Sequence, residues 1–289
     1  MNNKDKKVLA CVDQSAYADH VTDAAAWVAV RMKARLELLH VIDRDPAATH
    51  GEDRSGAIGF DAQEVLLDKL TDDDAAIART AREQGRQFLS RLCVRVQTAG
   101  VLEPDMRQRR GALVDVLTEQ QGDVRMVVMG RRGESSATTI RDLGRNVERL
   151  VRAIERPILT VTEKFTPPER VLIAFDGGSA SRNAVAMVAS SPLFKGIPCH
   201  LMMVFNDNNL DAGRQLETAL STLATAGLET SSYQVMGDPE TAIAKAIKKN
   251  QIGMLVMGAY THSPLRNFIF GSRTTELLRA SSVPTLLLR

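Results

Sequence analysis

The residues VLACVDQS (Val8–Ser15) return later in the chain as VLIAFDGGS (Val171–Ser179), and this recurrence decides how the 289 residues are divided. In each copy a short continuous apolar run ends in an aspartate, Asp13 or Asp176, followed by small residues and a helical pattern. In YADHVTDAAAWVAVRM (from Tyr17) apolar positions recur at steps of three and four, so the order is strand, tight turn, helix. The copies stay in register further on. RMVVMGRRG (from Arg125) matches GMLVMGAYT (from Gly253), and GRNVERLVRAIERPILTV (from Gly144) matches GSRTTELLRASSVPTLLL (from Gly271). Self-similarity at one domain-length period means a duplicated domain, not a solenoid, and the chain is long enough for each half to bury its own core.

Outward from the first strand, each half offers a second apolar run, ARLELLHVID from Ala34 and PCHLMMVFN from Pro198. Long helical stretches follow over 61–91 and 209–226. CVRVQTAG (from Cys93) and TSSYQVMG (from Thr230) then read as more polar third strands. The fourth and fifth strands, RMVVMG with PILTV and MLVMG with PTLLL, bracket another helix. Runs apolar on both faces, alternating with helices, require a parallel sheet covered on both sides. Right-handed crossovers leave few topologies, and of these the order 3-2-1-4-5 is expected in each half. The fold class is therefore α/β, two Rossmann-like domains with five parallel strands each. The adjacent prolines of EKFTPPER (Glu163–Arg170) stiffen the chain, which gives domains over 1–163 and 170–289 and a linker over 164–169. Residues 44–60 read as an exposed loop, mobile in preference to a lid.

Ligands of such sheets bind beyond the carboxyl ends of the strands, where the strand order reverses. Asp13 and Asp176 close strand one, while Gly130 and Gly258 close strand four, so the repeated residues fall at that place. Helix-start amides carry part of the helix dipole and seat anions, which singles out Gly271 and Ser272, with Thr274 as a further hydroxyl donor. Each aspartate has a second reading as a turn or helix cap.

The stretch GAYTHSPLRNFIFGS (Gly258–Ser272) resembles the nucleotide loop of the universal stress protein family, G-x2-G-x9-G-[ST], and the resemblance covers essentially the whole chain as a tandem pair. It implies ATP or a related adenine nucleotide as ligand, with or without Mg2+, and dimerisation through strand five. It also implies that Asp176 lies near the adenosine, with Val204 at the adenine edge; the first-half equivalents are Asp13 and Val41. Thr261 stands where the second glycine of the motif is expected, beside His262. A β-branched residue in a left-handed conformation costs about 1–2 kcal/mol. In the first half Gly130 and Gly133 are both present, but the interval to Gly144 is one residue longer and Arg145 replaces the Ser or Thr. The second half is thus the expected main site. Arg131 and Arg132 have two readings, a phosphate clamp or a solvated turn.

Composition narrows the remaining classes. A net charge of +2 from 37 basic and 35 acidic residues gives no broad grip on nucleic acid, and no run is long and apolar enough for a membrane span. A cytoplasmic location is expected. Cys11, Cys93 and Cys199 are scattered and read as small hydrophobes, not metal ligands or disulfides. No HExxH or GxxxxGK[ST] occurs, disfavouring zinc proteases and P-loop NTPases. No paired acidic cluster accompanies Asp142 or Asp176, so no catalytic residue is named. A binding or regulatory protein is the leading expectation, with a slow ATPase and a tandem structural module as alternatives. The short aliphatic strands Pro157–Val161 and Pro284–Leu288 are expected to pair inside the chain as an internal pseudo-dimer. Homodimerisation and protein partners are left open.

Overall fold

The computed structural model describes residues 6–42, 60–132, 145–205, 210–259, 277–279 and 281–289, with the backbone alone for 60–78, 145, 210 and 212. The first half runs β1 (Lys7–Cys11), α1 (Ala18–Met32), β2 (Leu36–Ile42), α2 (Phe60–Thr98), β3 (Asp105–Arg110), α3 (Leu113–Gln120), β4 (Val124–Gly130), α4 (Arg145–Ala153) and β5 (Ile158–Val161). The second runs β6 (Val171–Phe175), α5 (Ser179–Ser190), β7 (Cys199–Phe205), α6 (Leu210–Thr225), β8 (Thr230–Met236), α7 (Pro239–Lys249), β9 (Met254–Gly258) and β10 (Thr285–Leu288). All ten strands belong to one sheet of order β3-β2-β1-β4-β5-β10-β9-β6-β7-β8. Each half thus has the expected 3-2-1-4-5 order. Pairing is parallel everywhere except between β5 and β10, which run antiparallel.

The sheet is buried on both faces, as its apolar strands require. One core packs α1, α2, α5 and α6 against strand residues such as Val8, Leu38, Ile173 and Leu201. The other packs α3, α4 and α7 against Leu9, Leu39, Leu172 and Met202. Each core contains residues of both halves, because the sheet continues without a break through β5 and β10.

The third strand of the first half departs from expectation. Cys93–Thr98 belongs to α2, and β3 is instead DMRQRR, Asp105–Arg110. The alternating valines of CVRVQT imitate a strand, but buried Leu89, Leu92 and Val96 recur at steps of three and four, continuing the helical stripe. The helix ends just before Gly100, whose φ of +99° suits a residue without Cβ. The true strand carries no apolar alternation because it is an edge, with Asp105, Met106, Arg109 and Arg110 exposed. The loop read over 44–60 falls, except for Phe60, outside the described residues.

The seam between the halves is short and buried. Leu159 faces Leu286, with Thr160–Thr285 and Ile158–Leu287 on either side. Since Pro157–Val161 and Pro284–Leu288 are equivalent, Leu159 and Leu286 are equivalent residues, and their pair lies on the pseudo-twofold axis. Both are fully buried. On one side of them Thr160 Oγ1 donates to the Thr285 carbonyl at 3.1 Å. A second contact joins α1 to the other half, where Arg31 Nε donates to the Leu193 carbonyl at 2.7 Å. Trp27 packs its ring 5.9 Å from that of Phe165, in the segment joining β5 to β6, and Phe165 is buried.

Leu159→Ala empties volume on the axis itself, and the loss for a buried Leu→Ala change is about 2–5 kcal/mol. Urea unfolding of this variant should show that loss, whereas the exposed Leu102→Ala should stay within about 0.5 kcal/mol of the parent.

Candidate functional site

Strand order reverses beside β1 in the first half and beside β6 in the second, each lying between its own second and fourth strands. β6 pairs with β7 on one side and β9 on the other, with Ala174 beside both Met202 and Met257. Asp176, Val204 and Gly258 therefore gather at the carboxyl ends of three adjacent strands. Asp13, Val41 and Gly130 gather likewise at the ends of β1, β2 and β4.

Both aspartates build the same turn. Asp176 Oδ1 accepts from the Gly178 amide at 2.8 Å and from Ser181 Oγ at 2.6 Å. Asp13 Oδ1 accepts from the Ser15 amide at 3.2 Å and from Ser15 Oγ. A carboxylate bonded to the amide two residues on is an Asx-turn, and here it sets the entry into α5 and α1. The turn reading is realised, through Oδ1 in each case, while the N-caps of α1 and α5 are Tyr17 and Gly178. Asp176 is exposed, and among the described residues its Oδ2 accepts no hydrogen bond. Gly177 completes the turn at φ +74°, and a Cβ there would collide with the Gln215 side chain at 1.8 Å. Arg182 folds back to donate to the Gly177 carbonyl.

The glycines closing the fourth strands touch the following helix start. A Cβ on Gly258 would lie 2.7 Å from Ala180 Cβ and 2.8 Å from its carbonyl carbon, so β9 rests directly on the first turn of α5. On Gly130 it would lie 3.0 Å from Tyr17 Cβ and 2.8 Å from the Arg132 carbonyl oxygen. Close approach of backbone to helix requires glycine at both points. The two crevices differ in what they pack there, since Tyr17 occupies the position of Ala180. Tyr17 is buried, its hydroxyl 3.4 Å from Glu163 Oε1, and burial raises its pKa.

Val41 and Val204 are half-buried and pack on the core that holds α3, α4 and α7. His40 is a buried core histidine, with Nδ1 3.0 Å from the Val12 carbonyl oxygen and its ring edge-on to Phe88. Cys11 and Cys199 are buried; burial pushes the Cys199 thiol up to about 12 and raises that of Cys11 further, so neither is a nucleophile near neutral pH. Gly133, Gly144, Thr261, His262, Gly271, Ser272 and Thr274 lie outside the described residues, and of Arg145 only the backbone at the start of α4 is described. Among the described residues no group of three His, Cys, Asp or Glu side chains could hold a metal ion, and no helix is long and apolar enough to cross a membrane.

Arg131 matches neither of its expected readings. It is buried, and it crosses from the end of β4 into the other half. Nη1 donates to the Ser281 carbonyl, and Nη2 donates to the Val283 carbonyl at 3.0 Å and approaches Thr285 Oγ1 at 3.5 Å. Burial pulls the guanidinium down to about 10, still far above neutrality, so it stays a charged donor. The equivalent residue of the second half is Ala259, whose amide bonds the Leu288 carbonyl at 2.6 Å as the Arg131 amide bonds Val161 at 2.9 Å. Sequence reasoning missed this role. The available signal was the unequal pair Arg131 and Ala259 in otherwise matching strand ends.

The model of the universal stress protein family matches residues 5–162 and again 168–289. The chain is 32% identical over 286 residues to universal stress protein Slr1230 of Synechocystis sp., covering 98% of this chain and all of that protein. Among solved structures, a universal stress protein from Archaeoglobus fulgidus superposes with a TM-score of 0.72 at 17% identity over 98% of each chain. A functionally unknown protein, PA1789 from Pseudomonas aeruginosa, gives 0.62 at 15% identity, covering 99% of this chain and 93% of that one. The chain belongs to the universal stress protein family, in a tandem arrangement with one sheet spanning both copies.

Removing the Arg131 guanidinium leaves the buried Ser281 carbonyl without its donor, at a cost of about 1–3 kcal/mol. Arg131→Met should lose stability by that amount in urea unfolding, and Arg131→Lys should recover little of it, because one ammonium lacks the fork that spans several carbonyls.

Proposed function

We propose that the chain binds an adenine nucleotide, ATP with or without Mg2+, at the carboxyl ends of β6, β7 and β9, and acts as a cytoplasmic regulatory protein of the stress response. The observation that carries this reading is the convergence of Asp176 and Gly258 at neighbouring strand ends. The glycine-spaced segment to Gly271 and Ser272 leaves from that same point. In this reading Asp176 keeps Oδ1 in its turn and offers Oδ2 to the adenosine, Val204 lines the adenine edge, and Thr261, His262, Gly271, Ser272 and Thr274 receive the phosphates. An anion at an exposed helix start gains about 0.3–1 kcal/mol, so the phosphates must engage several amides and hydroxyls together.

The first-half set, Asp13, Val41, Gly130, Gly133, Gly144 and Arg145, serves as a weaker or altered site. Two differences support that ranking: Tyr17 stands where the second half has Ala180, and Arg131 is already committed to the seam. We take 1–163 and 170–289 as the domains and 164–169 as the linker. Regulation follows only if nucleotide binds one conformation better than another, since tight binding alone shifts no equilibrium.

Calorimetric titration with ATP and magnesium, with AMP as control, tests the reading. Saturable binding is expected for the parent and for Gly144→Val, and loss of at least tenfold in affinity for Gly271→Val. Equal losses in the two variants would remove the preference for the second half. No heat at millimolar ATP would replace nucleotide binding with a tandem structural role.

A further inference from the structure

Among the described residues, the two outer strands of the ten-stranded sheet, β3 and β8, have no further neighbour and are unlike each other. β8 ends the second half with TSSYQVM, which holds no charged residue. β3 ends the first half with DMRQRR, and α2 overhangs it. Arg79, Arg82, Glu83, Arg86 and Leu89 fall at steps of three and four on α2, and with Met106 and Gln108 of β3 they line a groove of about 400 Å³. Its floor is apolar, from buried Leu89 and half-exposed Met106. Among the described residues its rim is cationic, and the one carboxylate there, Glu83, is already bonded by Arg86 at 2.9 Å. Gln108 Nε2 is buried against Gly85 with no acceptor.

Among the described residues the remaining charges leave a net excess of cations. Arg35 pairs with Asp105 at 2.7 Å and Arg107 with Glu37 at 3.4 Å. Arg79, Arg82 and Arg109 make no ion pair among the described residues. Side chains alternate along β3, which places Met106, Gln108 and Arg110 toward α2 and Asp105, Arg107 and Arg109 toward the other face. An added strand would therefore meet apolar surface under the α2 overhang and guanidinium groups on the opposite face and at the rim.

Charged edges commonly serve only to prevent aggregation. That explanation does not cover β3, because β8 is equally open and carries no charge, and because half of the cations stand on α2 and not on the edge itself. An apolar floor and an orphan amide donor have no use in repelling strands.

We propose that the β3 edge and the α2 groove form a docking site for an extended acidic segment of a partner protein, added as an eleventh strand. Backbone hydrogen bonds to β3 supply affinity, and alternate side chains supply selectivity. The apolar side chains of the segment face Leu89 and Met106, and its carboxylates face Arg109 on one side and Arg79 and Arg82 at the rim. The site lies at the opposite end of the half-sheet order from the β5–β10 seam and shares no residue with the nucleotide reading.

Fluorescence anisotropy with a labelled peptide of four Asp-Val repeats tests this on the full chain. Saturable binding is expected, weakened at least tenfold by Arg82→Glu combined with Arg109→Glu, and weakened by salt. The same peptide N-methylated at alternate amides, and a Lys-Val peptide, should not bind. Both arginines are exposed, and unchanged circular dichroism and urea midpoint separate a lost site from a lost fold. Retained affinity in the double variant, or equal binding of the N-methylated peptide, overturns the proposal. Displacement of the peptide by a much tighter oligothymidylate would also overturn it, showing a general polyanion surface.

Discussion

Everything in this molecule is arranged about the antiparallel seam between β5 and β10. Two four-residue strands would each be an exposed aliphatic edge in a separate domain, and pairing them buries both. Because equivalent residues meet on the axis at Leu159 and Leu286, the duplication acts as its own twofold partner. Antiparallel pairing there reverses the direction of the second half of the sheet. The carboxyl ends of β1 and β6 consequently point opposite ways, and the two crevices lie at opposite ends of the sheet, on either side of the seam.

The twofold is broken where the chemistry differs. On one side of the axis Thr160 and Thr285 face each other and exchange a hydrogen bond, and on the other Ile158 and Leu287 are apolar. Arg131 reinforces only the polar side. A buried guanidinium without a carboxylate is costly, and its carbonyl acceptors offset the desolvation only in part. That cost is tolerated because one acceptor, the buried Ser281 carbonyl at the turn before β10, would otherwise be short of a donor, whereas the Val283 carbonyl also accepts from the Ser281 and Thr285 hydroxyls. The same residue leaves the first crevice without a free guanidinium at that position, so stabilising the seam and tuning the site are linked through one side chain.

Much of the fold was legible because buried parallel strands must be apolar on both faces. β1, β2, β4 and their repeats are read directly from that requirement, and the repeat checks each one. β3 was not legible, since an edge strand is free of the requirement and DMRQRR has no apolar period at all. The valines at Val94 and Val96 supplied a false period, and only the stripe through Leu89 and Leu92 exposes them as helical. At the strand ends, the turn-forming role of Asp13 and Asp176 was legible because both copies retain them in an otherwise variable turn. Arg131 was not, because the destination of a long side chain depends on which strand lies across the seam, and local sequence does not record that.

The turn aspartates show how one residue can meet two demands. Oδ1 of Asp176 is bound by Gly178 and Ser181, which fixes the first turn of α5, and that turn in turn sets the height at which Gly258 can pass. Strand, turn and helix are thus locked together at the mouth of the crevice. For the nucleotide binding proposed above, ordering these groups in advance would lower the entropic cost. A change at Gly258 or Gly177 would act through the shape of this mouth, because a Cβ at either position pushes on α5 or on Gln215. The crevice is therefore as dependent on backbone packing between β9 and α5 as on the side chains that face into it.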